Sequence, residues 1–182
     1  MRLAAAETHR LSRLADDLLF LARSDAGALL VSPVDQALRP VLQGAVAARQ
    51  RQANERNIDL TLEVDPLLHC RVDADRLRHA VDNLLDNALR LTPPGGAIAV
   101  VADPADGGVL IEVTDDGPGF PPAFLPHAGE PFRRTDDARS DGAGGSGLGL
   151  AIVRAVAQAH GGSATVANHD PKGALVAVRL PS

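Results

Sequence analysis

Several residues in this chain have types and spacings that can do chemistry. Asn83 and Asn87 stand four apart, so on a helix they share one face. Asparagines beside an apolar stripe need partners. One use is a carboxamide oxygen held on a hard cation such as Mg2+, which bridges phosphate oxygens. The plainer use is that both amides satisfy local backbone groups. Arg90 follows Asn87 by one turn, where its guanidinium can meet a phosphate. Asp115 stands where an apolar run opens into Asp116-Gly117-Pro118-Gly119. It is either a turn aspartate or an acceptor for a ligand amino group, with Gly117 and Gly119 clearing room for a flat ring. Phe132, Arg133, Arg134 and Arg139 lie in a long polar stretch. That stretch is either a solvated charged loop or a lid whose Phe packs down while an arginine reaches a terminal phosphate.

The same stretch ends in Gly142-Ala143-Gly144-Gly145-Ser146-Gly147-Leu148-Gly149-Leu150 and runs straight into an apolar helix. Glycines at such a junction let backbone approach a ligand, and the first helical turn offers unpaired N–H groups to an anion. A P-loop needs Lys and Ser/Thr after its last glycine, and Leu148 and Leu150 stand there instead. Gly142, Gly144 and Gly147 fit a dinucleotide fingerprint, with Asp170 at a suitable distance for a ribose. That fingerprint follows a buried strand, and residues 133–141 are too polar for one. A flexible linker ahead of a core helix is the remaining alternative.

These groups need elements to position them. Leu11, Leu14, Leu18 and Leu21 predict a helix over about 3–22, stopped by Asp25-Ala26-Gly27 and carrying enough apolar surface to want a partner. Leu29-Leu30-Val31 reads as a short strand and Val34 to about Glu55 as a helix closed by Asn57. Alternation from Ile58 to Val64 predicts a strand, and His69 to Val72 a shorter one. Asp73 is a good N-cap for a helix running to about Leu91 that buries Leu77, Ala80, Val81, Leu84, Leu85 and Ala88. Strands over 97–102 and 109–114 form a hairpin, followed by a long irregular stretch to Ser146. A helix from Leu148 to His160 and strands over 163–167 and 174–180 close the chain. The sheet is expected to be mixed, with helices on one face.

Composition bounds the answer. A chain of 182 residues with 45% hydrophobic and 23% charged content can form one domain with a small appendage. A net charge of −5 and 2% aromatic content, with no Trp or Tyr, give no basis for a nucleic-acid partner. The single Cys70 excludes an intrachain disulfide and a multi-Cys zinc site. No apolar run reaches the ~20 residues a membrane span needs, and no signal peptide is visible.

Taken in order, the motifs resemble those of the GHKL (Bergerat) ATP-binding superfamily of sensor histidine kinases, DNA gyrase, MutL and heat-shock chaperones. The pattern resembles the kinase branch closely, over about Val34 to Ser182. Asp82-Asn83-Leu84-Leu85-Asp86-Asn87-Ala88-Leu89-Arg90 resembles the N box, and Asp115-Asp116-Gly117-Pro118-Gly119 the G1 box. Glu130-Pro131-Phe132-Arg133-Arg134 resembles the F box, and Gly145-Ser146-Gly147-Leu148-Gly149-Leu150 the G2 box. Residues 1–27 resemble the second helix of a dimerisation and histidine-phosphotransfer hairpin, with 28–182 the catalytic domain.

The resemblance implies an α+β two-layer sandwich that binds ATP and Mg2+. Asn87 would hold the metal, with Asn83 and Arg134 as its catalytic companions. Asp115 would take the adenine amino group, with Gly117, Gly119 and Phe132 around the nucleotide. Arg90, Arg134 or Arg139 would meet the phosphates, and Gly145, Ser146, Gly147, Leu148 and Gly149 would cover the triphosphate. The implied reaction is transfer of the γ-phosphoryl group to a histidine on another segment, for relay to a response-regulator receiver domain. The implied location is cytoplasmic, in a protein anchored in the bacterial inner membrane; the leucine stripe itself predicts a homodimer through residues 3–22, by Leu11, Leu14, Leu18 and Leu21.

Two departures stand out. Leu91 replaces the aromatic residue that the family often carries after the N-box basic residue. The phosphoacceptor pattern, a His followed by acidic and basic residues, is also missing: His9 precedes Arg10, and His69, His79, His127, His160 and His169 lack the context. The chain therefore resembles a kinase piece that begins after the acceptor helix. A clamp ATPase is the main alternative, but such relatives carry a glutamate one turn before the metal-binding asparagine, where this chain has Asn83. An anti-sigma-type serine kinase and a non-catalytic nucleotide-binding module are the others.

Overall fold

The structure, a computed structural model, describes residues 2–133 and 146–181, and for residues 2–10 and 13 the backbone alone. Helix α1 (Arg2–Asp25) ends as expected at Gly27, whose φ of +64° turns the chain while Ala28 N donates to Arg23 O at 2.8 Å. Strand β1 (Val34–Ala37) leads directly into α2 (Leu38–Glu55), followed by β2 (Asp59–Val64), β3 (His69–Val72) and α3 (Ala74–Leu91). Then come β4 (Ala97–Ala105), β5 (Gly108–Asp115), a single 3-10 turn (Leu125–His127), α4 (Gly149–Ala159), β6 (Ser163–Asn168) and β7 (Ala174–Pro181).

Two expectations are corrected. Residues 29–31 form no strand: nothing pairs with them, Leu29 turns onto the core and Leu30 stays exposed. The helix expected from Val34 begins only at Leu38, because Val34–Ala37 pair antiparallel with β3, Val34 opposite Val72 and Ala37 opposite His69. Pro40 then sits in the first turn of α2, where its missing N–H costs nothing. The hairpin between β4 and β5 is longer than expected. Pairing continues to Ala105 opposite Gly108, and Gly107 turns the chain at φ +74°.

The main sheet has the order β2-β4-β5-β7-β6, parallel between β2 and β4 and antiparallel elsewhere. The parallel pair is made possible by the long crossover through α3. Inward residues alternate with outward ones, so Ile98, Val100 and Ala102 of β4 and Val109, Ile111 and Val113 of β5 are buried under the helices. Helix α3 packs between α2 and α4 and buries its apolar stripe, with Leu89 added to the expected set.

Helix α1 joins the same core, with Phe20 and Leu21 buried. The Phe20 ring meets His79 edge-on at 5.3 Å, and His79 Nε2 lies 3.2 Å from Asp17 Oδ1. The leucine stripe expected to self-associate is therefore divided. Leu21 is buried and Leu14 packs onto the core, whereas Leu11 (54% exposed) and Leu18 face outward beside Leu19. Periodicity revealed the stripe but not that the chain covers half of it.

Candidate functional site

The Asn83/Asn87 face is set by the way α3 is held. Asp73 caps its start, its carboxylate accepting from Arg76 N at 3.1 Å and from Ser32 N at 3.0 Å. Burial pushes the Asp73 carboxyl up, but those N–H donors and the nearby Arg76 and His160 charges outweigh it and leave the pKa lowered. Arg56 closes the other end of α3, donating to Leu89 O and Thr92 O. Between them Arg49 of α2 reaches two successive turns, with Nη1 2.6 Å from Asp82 Oδ1 and Nε 2.9 Å from Asp86 Oδ1. Fixing residues 82 and 86 on α2 turns residues 83 and 87 about 100° around the helix, away from that contact.

That rotation carries Asn83 to α4. A Cβ placed on Gly149 would lie 3.2 Å from Asn83 Oδ1, so a glycine at the first position of α4 lets the helix start rest against this amide. Asn83 Nδ2 donates to His79 O at 2.9 Å, the local backbone use foreseen for it. Asn87 makes no such bond; its Oδ1 accepts from Arg90 Nη2 at 2.6 Å. Among the described residues helix α4 has no side-chain N-cap, so no side chain there satisfies the N–H groups of its first turn. Gly147, at φ +75°, makes the turn into it, and Ser146 Oγ accepts from Leu148 N at 3.3 Å. Leu148 itself is buried.

The Asp115 turn lies at the other end of α3. Asp115 is 6% exposed, and its Oδ1 accepts from Gly117 N at 2.8 Å and from Ala174 N at 3.4 Å. Burial raises the Asp115 carboxyl and Asp116 adds to this, against the lowering effect of the Gly117 and Ala174 N–H groups and of His169. A Cβ on Gly117 would stand 2.6 Å from Asp115 Oδ1 and 3.4 Å from Leu91 Cβ. Leu91 thus joins the end of the asparagine helix to the aspartate turn. Gly119 has no side chain because the sheet edge leaves none room. It packs on Asn168 and the Gly173 carbonyl at φ +72°.

Phe132 does not pack down. Its ring is 61% exposed, its φ is +62°, and its N donates to Gly147 O at 3.1 Å, tying the F-box segment to the helix start through backbone. Arg134, Arg139, Gly142, Gly144 and Gly145 lie outside the described residues.

Several contributors were not singled out from sequence. Arg49 and Arg56 act on residues more than thirty positions away, and nothing in their own neighbourhoods announces it. Arg49, Asp82, Asn83 and Asp86 also line a polar cleft of about 320 Å3 with Asp16, Asp17 and His79, on the α1 side of Asn83.

The family described as "Histidine kinase-, DNA gyrase B-, and HSP90-like ATPase" matches residues 72–182, which hold the Asn face, the Asp115 turn and the Gly147–Gly149 helix start. The chain belongs to this ATPase family. Within it, a "Probable sensor histidine kinase HK" of Mycobacterium tuberculosis (strain CDC 1551 / Oshkosh) is 43% identical over all 182 residues of the chain, which cover 46% of that protein. The "Sensor protein SrrB" of Staphylococcus aureus (strain NCTC 8325 / PS 47) is 33% identical over 96% of the chain and 30% of its own length. The chain thus spans less than half of the curated relatives it matches. Among solved structures, "ShkA full-length in complex with AMPPNP" superposes with a TM-score of 0.80 at 30% identity, over 94% of this chain and 36% of that one. The "Mycobacterial sensor histidine kinase MprB" does so at 0.70 and 36% identity, over 82% and 97%. These likenesses extend to the fold itself, a mixed and mostly antiparallel sheet under helices.

Proposed function

We propose that the chain is the ATP-binding catalytic part of a sensor histidine kinase. It passes the γ-phosphoryl group of Mg-ATP to a histidine on a separate helix, for relay to a response-regulator aspartate. The observation that carries this reading is the meeting of Asn83 with Gly149, which sets the asparagine helix against a helix start that has no side-chain N-cap among the described residues. That pairing suits a triphosphate lying between α3 and α4, with its base toward Asp115 at the far end of α3.

Each residue has a role in this account. Asp115 accepts the adenine amino group beside Gly117 and Leu91. The α4 N-terminus, with Ser146, Gly147, Leu148, Gly149 and the preceding Gly145, holds the triphosphate. Arg90, Arg134 and Arg139 neutralise phosphate charge, and Phe132 borders the nucleotide. Asn87 holds Mg2+. Among the described residues no three His, Cys, Asp or Glu side chains are grouped to hold a metal. A single carboxamide oxygen completed by phosphate oxygens and water is an ordinary Mg2+ environment, and the donor set fits. Asn87 Oδ1 keeps a second lone pair while Arg90 donates to it. Phosphoryl transfer through a loose transition state asks the protein for positioning and charge neutralisation, which these groups supply.

The clamp-ATPase reading is less favoured. Asn83 has no basic lone pair with which to activate water, and its N–H is already committed to His79 O. Residues 1–27 belong in this account to a dimerisation and phosphotransfer hairpin attached to the catalytic domain 28–182. The outward leucines Leu11, Leu18 and Leu19 provide a surface for a second copy. The segment is cytoplasmic, in a protein anchored in the bacterial inner membrane. No helix among the described residues is long and apolar enough to cross a membrane.

The test is a calorimetric titration of a non-hydrolysable ATP analogue with Mg2+ and with EDTA. The wild type binds, and Mg2+ tightens binding. Asn87→Ala loses that gain. A wild type that binds no nucleotide contradicts the reading.

A further inference from the structure

The end of β6 carries a side chain that imitates a strand. Asn168 Oδ1 accepts from Phe120 N at 2.7 Å and Asn168 Nδ2 donates to Phe120 O at 3.0 Å, across forty-eight positions. A short side chain with one acceptor and one donor is what a single residue's N–H and C=O require, and the pair fixes the amide's orientation. Asp115 and Asn168 both stand opposite Ala174, from the two sides of β7. The three residues form one row across β5, β7 and β6, about 10 Å from end to end. The chain therefore leaves β5 at Asp115, crosses the end of β7 and is caught at the sheet edge by Asn168.

The crossing is close. A Cβ on Gly119 would lie 2.7 Å from Asn168 Oδ1 and 2.9 Å from Gly173 O, and one on Gly173 would overlap the Asp115 carbonyl oxygen. Past the pin, the Phe120 ring is buried and stacks on Phe124 at 5.5 Å and 11°. The turn is thus held at its start by Asp115 and at its end by Asn168, with Gly117 between them.

We propose that Asn168 is a positioning residue for nucleotide binding: its carboxamide pins Phe120 to the sheet edge and so fixes the turn that presents Asp115 and Gly117 to the base. This rests on the nucleotide site proposed above. Its first test needs no nucleotide. In the free protein, Asn168→Ala lowers amide-exchange protection at both Phe120 and Gly117; unchanged protection at Gly117 overturns the inference while leaving the nucleotide site standing. The second test is affinity for a non-hydrolysable ATP analogue. Asn168→Ala binds about tenfold more weakly, the effect of losing roughly one net hydrogen bond. Asn168→Asp, which keeps only the acceptor, repeats the test should the alanine variant fail to fold. In double-mutant cycles the loss overlaps with that of Asp115→Asn but adds to that of Asn87→Ala. Full additivity with Asp115→Asn overturns the assignment, and a wild type that binds no adenine nucleotide overturns it together with the reading it rests on.

Discussion

Asp115→Asn separates what the carboxylate does for folding from what it does for a ligand. Asp115 is 6% exposed, and burial raises its pKa despite the Gly117 and Ala174 N–H groups. A folded-state pKa above the unfolded value makes the group's contribution most favourable below 3.8, and that contribution is lost as pH rises through the folded pKa. Burial therefore opposes ionisation of this carboxyl in the folded protein. Asparagine carries no charge and keeps an oxygen for Gly117 N. Its stability is predicted to fall within about 1 kcal/mol of the wild type or to exceed it, with less gain on acidification. Asp115→Ala strips a buried N–H of its acceptor and loses about 1–3 kcal/mol. Binding moves the other way. With the asparagine oxygen committed to Gly117, its NH2 faces the adenine amino group, donor against donor. Losing a hydrogen bond to a charged acceptor, about 1.5–3 kcal/mol, weakens binding roughly ten- to hundredfold. Urea unfolding and calorimetry with an ATP analogue check the two halves. An Asn variant that binds like the wild type, or is as destabilised as the Ala variant, refutes the reasoning.

Asp73→Ala removes the α3 N-cap and costs about 1 kcal/mol at neutral pH. Because the folded pKa of Asp73 is lowered, that difference is present above 3.8 and shrinks as pH falls through the folded value, which urea midpoints over a pH series will show. Arg49→Met leaves Asp82 and Asp86 without their shared partner across helices. It costs about 1–3 kcal/mol, discounted for the partial exposure of both carboxylates, and analogue affinity falls as Asn83 loses its bearing on Gly149.

What was legible in the sequence is what local physics decides. The capping aspartate, the 3.6-residue apolar stripe and the Asn83/Asn87 spacing lie within one helix, and α3 is as expected. The β4–β5 hairpin likewise depends on neighbouring alternation and a turn. Val34–Ala37 runs without a break into the Ala/Arg/Gln-rich helix that follows, and only pairing with β3, more than thirty positions on, sets it apart as a strand. Leu29–Val31 has strand-like residues but no partner. The site shows the same division. Motif order brought out the Asn face, the Asp115 turn and the glycine run. Arg49 and Asn168 act through long-range contacts that leave no local trace, and so does the close packing of Gly119 on Asn168 and Gly173.

The central claim is transfer to histidine rather than hydrolysis, and one assay addresses it directly. The chain is incubated with γ-labelled Mg-ATP, alone and with the part of its 43%-identical relative that lies outside the matched region. The account predicts acid-labile, alkali-stable label on that segment and negligible phosphate release without it. Steady phosphate release in the absence of any acceptor, with no label on the added segment, contradicts it.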